Sequence, residues 1–508
     1  MLLHPPLHHR ECLHLQQEYP IRPDIKEYNT SMPQTRTRWR RTKIVCTIGP
    51  ATSSEAAIRK LVQAGMDVAR LNLSHGTLDE HARYVQIVRS VSSKLGIEVA
   101  ILMDLPGPKY RIGRLKGGGV ELRRGSRITL TDKDVEGTAT LLPVTLPNLS
   151  EGISVGKTIL LDDGALQAKV VGLSGTDVLA RVTVGGTLQE GKGVVVPGAP
   201  ITTPFMTDNL RDLLGFATAQ RPDYIALSFV TRTLDIAETR NILKESGADI
   251  PLIAKIERRE ALKAFDGILE ASDAIMVARG DLGVEIPLER VPLAQKEMIR
   301  KCNRAGKPVI TATEMLQSMV SSPRPIRAET SDVANAIFDG SDAVMLSAET
   351  SIGKYPLQAV SMMDRIARET EKDLPYDLWL SERRTWARLS TEELIAYNAC
   401  VTAESLGARA VVAFTQSGST AGRVSKYKPR PTILAVTPAD ICGRLVLHWG
   451  VYPYRRQVPG STSGLFDTAS SLARDVGLAN RGDLIVVTGG IPLGQAGSTN
   501  MLKVETIA

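Results

Sequence analysis

The sequence predicts an α/β protein: a (β/α)8 TIM barrel, an inserted small all-β lid domain and a C-terminal three-layer α/β domain. Three observations predict it. From Lys43 onward, short apolar runs alternate with amphipathic helical stretches, and eight of the runs have the length and continuous apolarity of buried parallel strands. The stretch 114–198 breaks this rhythm with Val- and Thr-rich segments separated by glycines. Beyond 355, apolar runs at 410–414, 432–436 and 484–487 again alternate with helical segments.

The elements follow in order. Residues 1–41 lack helical or strand periodicity, carry scattered prolines and end in the basic run 36–41. They are expected to form a disordered extension, with the basic run a solvated flank of the first strand. No apolar stretch precedes a small-residue cleavage site, so a signal peptide is not expected. Met32, just before the basic run, is a candidate start. The barrel strands are expected at 43–49, 68–73, 99–105, 224–229, 251–257, 274–280, 308–315 and 343–350. They divide the barrel into 42–113 and 199–355, which together approach the ~250 residues usual for this architecture. The all-β stretch 114–198 follows the third strand. It would therefore emerge at the C-terminal mouth, where a hinged domain can act as a lid. Residues 356–508 form the last domain, entered through a Trp- and Arg-containing helical link near 380–388.

Composition narrows the function. With 43% apolar and 23% charged residues over 508, the chain is neither collagen-like, disordered nor a disulfide scaffold. No apolar run reaches ~18 residues, so no membrane helix is expected. Aromatic content of 4% argues against stacking platforms for sugars or single-stranded nucleic acid. A net charge of +7 suits anionic substrates but is weak support for nucleic-acid binding. The cysteines (Cys12, Cys46, Cys302, Cys400, Cys442) are scattered with no C-x-x-C pair. That fits a reducing, cytoplasmic location rather than zinc or disulfides. Only His75, His81 and His448 lie beyond the first fourteen residues, leaving little material for a multi-histidine metal site.

In such barrels the active site lies at the C-terminal strand ends. Those ends carry Arg70, Asn72 and Ser74, then Asp104, Ser228, Lys255 with Glu257, Arg279 with Asp281, Thr313 and Glu349. Single charges at strand ends usually make structural ion pairs; a ring of them points to a site. Lys255 interrupts the apolar run Leu252-Ile253-Ala254. It is either a buried partner of Glu257 or Asp281, or an ammonium held against a substrate anion, as phosphoryl transfer requires. Glu257 and Asp281 end strands expected to be neighbours ~4.8 Å apart. Hard carboxylate oxygens there suit Mg2+ or Mn2+, with water and substrate completing the shell. A glycosidase acid/base pair is the alternative, disfavoured by Lys255 and the few aromatics. After Asp281, the run 282–287 is expected to open a turn or helix whose free N–H groups could hold a carboxylate. The run 152–158 imitates a nucleotide-binding P-loop but is one residue short and sits in the β insertion, so it reads as a turn.

Several of these stretches resemble the pyruvate kinase family: SDAIMVARGDLGVEIP at 272–287, MDVARLNLSHG at 66–76, CNRAGKPVITATEML at 302–316 and the run 323–356. The resemblance covers about 42–508. It implies conversion of phosphoenolpyruvate and ADP to pyruvate and ATP, the last step of glycolysis. By motif position, Arg70 would bind the transferring phosphoryl group and Lys255 would stabilise its transition state. Glu257 and Asp281 would ligate the divalent metal. Gly280, Asp281 and Thr313 would contact substrate, with Thr313 near a proton delivered through a water relay. Asn72, Leu73, Ser74, His75, Arg111 and Lys192 match nucleotide-contacting positions, and Lys192 would close over the phosphates with the lid.

Many members of that family hold K+ at positions matching Asn72, Ser74, Asp104 and the Leu105 carbonyl. Here Lys109 stands where those members have a Glu. Leu105-Pro106 replaces a Thr-Lys pair, and Ile112 replaces a Thr. This pattern is similar to the K+-independent branch. A lysine ammonium can supply the fixed charge that a bound monovalent ion would give. The cofactor expected is Mg2+ or Mn2+, without K+.

In the last domain, Thr415, Gln416, Ser417, Gly418, Ser419 and Thr420 follow an apolar strand. Such a turn is either an anion nest or an ordinary Ser/Thr helix cap. The resemblance implies a phosphorylated allosteric effector there, a sugar phosphate or AMP, with Arg423, Lys426 and Lys428 adding charge. It also implies a homotetramer, without nucleic-acid or membrane partners. The rivals are another Mg2+-dependent barrel acting on an enolate, a catalytically dead metabolite sensor, and a nucleic-acid binder.

Overall fold

The computed structural model describes residues 39–145, 149–199, 203–386, 390–492 and 498–508. Strands Lys43–Thr47, Val68–Asn72, Ala100–Leu105, Tyr224–Leu227, Leu252–Ile256, Ala274–Ala278, Val309–Ala312 and Ala343–Leu346 pair in parallel, and among the described residues they close into a barrel. Each pairs with its sequence neighbours, and the first meets the last. The fifth, sixth, seventh and eighth are buried at every residue. Both faces are covered, which is why they read as continuous apolar runs. One face packs on helices; the other fills the barrel with Val45, Ala100, Tyr224, Ile253, Met276 and Ile310, joined by Val446 and Leu447 of the C-terminal domain.

Helices return the chain between strands with caps written in the sequence. Ser54 accepts the Ala57 N–H at the start of Glu55–Ala64. Thr77 and Glu80 make a reciprocal capping box on Leu78–Leu95. Except for the third, which ends at Leu105 as expected, the strands stop short of the expected ends. The sixth ends at Ala278 because the helix Arg279–Glu285 begins at once. Asp281 therefore lies in the first turn of that helix, and the helix does not open after it as the sequence suggested.

The insertion folds as expected into sheet. Strands Val194–Val195, Thr158–Leu161, Leu166–Ser174, Asp177–Val184, Arg127–Thr131 and Leu141–Pro143 form one sheet, and Gly119–Leu122 pairs with Gly186–Gln189. It has its own core around Ile128, Leu130, Ile159, Val178 and Val182. The P-loop imitation leads into the strand Thr158–Leu161, not into a helix.

In the C-terminal domain a sheet runs Val451–Arg455, Thr432–Thr437, Ala410–Phe414, Leu484–Gly489, Met501–Thr506, with the last strand antiparallel. Two apolar clusters, one on each face, make three layers. The two outer strands were not apparent in the sequence. Val451–Arg455 contains Pro453, and Met501–Thr506 is only partly buried; edge strands need no continuous apolar run. The expected link begins as the helix Tyr376–Arg383, where the Arg383 guanidinium lies 4.7 Å from the Trp379 ring centre and 5.1 Å from that of Trp386.

The expected disordered extension lies outside the described residues up to 38. Its last residues correct the reading of the basic run as a solvated flank. Arg40 is 2% exposed, pairs with Asp67, reaches Asp364 at 2.7 Å and donates to the Gly65 carbonyl at 2.7 Å. Its partners lie far along the chain, so no local pattern reveals them. Among the described residues, no helix is long and apolar enough to cross a membrane.

Candidate active site at the barrel mouth

Strand alternation decides where Lys255 points. In Leu252–Ile256, Ala254 and Ile256 pack outward on the helices while Ile253 faces the interior, so Lys255 also faces in. Its Nζ lies 3.1 Å from Asp104 Oδ1, 2.7 Å from Ser228 Oγ and 3.1 Å from Glu257 Oε1. The other Asp104 oxygen takes Arg70 through Nε at 2.7 Å and Nη2 at 2.6 Å. Arg70 also donates to Thr47 Oγ1 at 2.9 Å. All of these side chains are buried. Burial alone would raise the Asp104 pKa, but Arg70 and Lys255 outweigh it and hold the carboxyl below its usual range. Burial likewise disfavours the Lys255 ammonium, and Asp104 and Glu257 more than restore it.

Close backbone approach assembles this cluster. Gly107, just past the third strand, crosses Ser228 so tightly that a Cβ there would sit 2.0 Å from the Ser228 carbonyl oxygen. Phe229 follows at φ +58°, a left-handed conformation unusual for an aromatic residue. That turn aims its N–H at Glu257 Oε2, 2.6 Å away.

Glu257 is 1% exposed. Burial raises its pKa; Lys255 opposes the shift, and Asp281 and Asp104 add to it. Asp281, on the neighbouring sixth strand's exit, has Oδ1 2.6 Å from Lys109 Nζ. Lys109 also lies over the Phe229 ring at 5.3 Å and 3.8 Å from Asp163 Oδ1 on the lid. Hard carboxylate oxygens beside each other, with Asp281 raising the Glu257 pKa, suit a divalent cation. Among the described residues no cluster of three or more His, Cys, Asp or Glu side chains could hold a metal. The donor set therefore fits Mg2+ or Mn2+ completed by water and substrate, not a protein cage.

Thr313 follows the seventh strand at φ +66°, an outlier for a β-branched residue. Its Oγ1 accepts the Gly280 N–H at 2.8 Å and donates to the Ala312 carbonyl at 2.6 Å. Thr313 and Gly280 are thus brought together. Two members of the expected ring are not. Arg279 turns outward to Asp332 at 2.7 Å and to the Thr313 carbonyl. Glu349 is buried, accepting the Leu316 and Ser347 N–H groups. Both shape the backbone around the mouth.

Asn72 and Asp104 are register partners on adjacent strands. Asn72 Oδ1 accepts the Ser74 N–H at 3.3 Å, Leu73 N–H binds the Asp104 carbonyl, and the Asn72 carbonyl accepts the His75 N–H. Burial lowers the His75 pKa, and the nearby Arg111 and Arg70 lower it further. The Leu105 carbonyl accepts the Ser228 N–H at 3.2 Å. Arg111 donates to the Gly191 carbonyl at 3.0 Å. Lys192 lies 2.8 Å from Asp162 Oδ1 on the lid's own turn.

In the C-terminal domain, Gly418 caps the helix Ser419–Lys426 at φ +88° without a side-chain cap bond. Ser417 Oγ donates to Ser419 Oγ at 3.3 Å, Thr420 meets Thr499 at 2.7 Å, and the Thr415 N–H joins the sheet. The added charge expected from Lys426 and Lys428 is engaged elsewhere. Lys426 pairs with Glu393 at 3.0 Å and buried Lys428 with Asp342 at 2.7 Å. Arg423 Nη1 is buried without a hydrogen-bond partner.

Sequence reasoning missed Thr47, Phe229, Asp162 and Asp163. The only signal for the last two was the Asp-Asp-Gly turn between two lid strands.

Two family models match the chain: the pyruvate kinase barrel domain over residues 39–360 and the pyruvate kinase alpha/beta domain over 393–505. The pyruvate kinase of Geobacillus stearothermophilus is 46% identical over 473 residues, 92% of this chain and 81% of that protein. Those of Staphylococcus aureus and Staphylococcus saprophyticus are each 45% identical, over 92% of this chain and 80% of theirs. Similarity of this depth, along both the barrel and the last domain, makes the chain a member of the pyruvate kinase family.

Proposed function

We propose that the protein transfers the phosphoryl group of phosphoenolpyruvate to ADP, yielding pyruvate and ATP. The observation that carries this is the convergence of Lys255, Arg70, Glu257 and Asp104 on one buried cluster at the barrel mouth. The group in transit passes between two anions, so fixed cations must offset repulsion. Arg70 binds the phosphoryl group, and Lys255 stabilises its charge in the transition state. Asp104 and Ser228 hold the Lys255 ammonium in place, so little reorganisation is needed when charge develops. Mg2+ or Mn2+ held by Glu257 and Asp281 would supply further positive charge to substrate oxygens. Gly280 and Asp281 contact substrate. Thr313, whose hydroxyl is tied to Gly280, delivers a proton through water to the enolate carbon.

Asn72, Leu73, Ser74, His75 and Arg111 border the nucleotide, and Lys192 reaches its phosphates as the lid closes. K+ is not required. Both oxygens of Asp104 are already engaged by Arg70 and Lys255, and Lys109 supplies a cation beside Asp281.

The turn from Thr415 through Gln416, Ser417, Gly418 and Ser419 to Thr420 takes a phosphorylated effector. The helix start without a side-chain cap bond and the unpartnered Arg423 nitrogen support this. The enzyme is a cytoplasmic homotetramer whose C-terminal domain couples to the barrel. A coupled assay of ADP-dependent pyruvate formation, with and without K+ and with sugar phosphates or AMP, tests the whole reading. Absence of ADP-dependent pyruvate formation with Mg2+ present would overturn it.

A further inference from the structure

One ammonium stands between two carboxylates of different domains. Lys109 Nζ is 2.6 Å from Asp281 Oδ1 in the barrel and 3.8 Å from Asp163 Oδ1 in the lid. Its side chain is only 12% exposed, so leaving the charge without a partner is costly. Among the described residues its ion pairs are with these two groups.

The lid is built to admit this. Asp162 and Asp163 both adopt left-handed backbone, φ +50° and +52°, at the turn joining Thr158–Leu161 to Leu166–Ser174. Gly193 leaves the passage open: a Cβ there would lie 2.9 Å from Lys109 Cε and 3.5 Å from Asp163 Oδ1.

We infer that Asp163 receives Lys109 when a divalent cation takes Asp281, so that Asp163 is a positioning residue tying the lid to the metal-bearing carboxylate. The inference rests on Asp281 being a metal ligand. A dication and an ammonium cannot share one carboxylate oxygen without strong repulsion. Lys255 keeps its place beside Glu257 because Asp104 and Ser228 also hold it. Among the described residues Lys109 has only Asp163 as an ion-pair partner besides Asp281, so repulsion from the dication shifts its ammonium the short way onto Asp163. Metal binding then tightens the ion pair between barrel and lid, which spans 3.8 Å without it. Loss of the metal returns the ammonium to Asp281 and weakens that tie.

The test is direct Mn2+ binding to the full chain without nucleotide, read from the electron paramagnetic resonance signal of free Mn2+. Lys109→Met should bind Mn2+ more tightly, since no ammonium has to be displaced. Asp163→Asn should weaken binding about fivefold when Lys109 is present and leave it unchanged within about twofold in the Lys109→Met background. Asp163 is 72% exposed, so its amide replacement should not disturb the fold. Equal weakening in both backgrounds would mean Asp163 acts as a plain negative charge and would overturn the inference, as would no weakening in either. Asp281→Asn separates the two levels. If it binds Mn2+ as the parent does, the metal-ligand assignment itself fails.

Discussion

Lys255 and Asp104 meet inside the barrel with Nζ 3.1 Å from Oδ1, and Arg70 occupies the other oxygen of the same carboxylate. One buried anion thus orients two cations toward the mouth. The arrangement holds the cations ready before substrate arrives, which is what electrostatic catalysis requires. Lys255→Met should lower turnover ~10³-fold or more with smaller effects on substrate affinity. Steady-state kinetics read this, and near-normal turnover would remove Lys255 from the mechanism.

The same geometry bears on monovalent ions. A K+ ion at Asp104 would have to compete with Arg70 and Lys255, both hydrogen-bonded to that carboxylate. Rates in K+-free buffer with Mg2+ should match those with K+ added. Lys109→Glu, which removes the cation beside Asp281 and adds an anion, should lower the K+-free rate by ~10-fold or more and let added K+ restore part of it. A large K+ activation of the parent chain would refute K+ independence.

The lid lysine carries a separate expectation. Lys192 is half-exposed and held by Asp162 rather than by the barrel. If Lys192 reaches the nucleotide as proposed, Lys192→Met should raise the KM for ADP several-fold more than the KM for phosphoenolpyruvate. Equal effects on both substrates would place Lys192 elsewhere in the reaction.

The barrel was legible because its strands are buried on both faces, and the chain had to write them as apolar runs interrupted only where polar groups enter the mouth. Lys255 announced itself in that way. Direction was not legible. Arg279 and Asp281 share the first turn of one helix, yet the Arg279 guanidinium turns to Asp332 while Asp281 meets Lys109. Contacts between distant segments were equally silent: Arg40 with Asp364, Lys109 with Asp281, and the Phe229 N–H with Glu257. The edge strand Val451–Arg455 carried no signal because its exposed side needs no apolar residues.

Thr313 makes a test of backbone strain. At φ +66°, any Cβ is strained, by ~1–3 kcal/mol for residues held in sparsely populated regions. A glycine at this position is free of that cost, so Thr313→Gly should be more stable than Thr313→Ala by about 1 kcal/mol, the reverse of the usual order. Both variants lose the hydroxyl bound to Gly280 and should lose turnover. Thermal unfolding and kinetics on the two variants check this, and an alanine variant as stable as the glycine one would show that the turn carries no strain.

His448 links stability to pH at the junction of barrel and C-terminal domain. Burial lowers its pKa to about 4; Asp342 opposes the shift, and Lys428 and Lys43 add to it. The folded protein therefore keeps the imidazole neutral well below the ordinary value of 6.5. An unfolded chain takes up the proton near ~6.5, so acid favours unfolding. The stabilising contribution is full above pH 6.5 and is lost as the pH falls from there through 4. The whole span corresponds to about 3 kcal/mol. His448→Gln, neutral throughout, should flatten that part of the pH dependence of the urea midpoint while leaving the rest. An unchanged slope between pH 6.5 and 4 in the glutamine variant would show that the imidazole is not what the acid titrates.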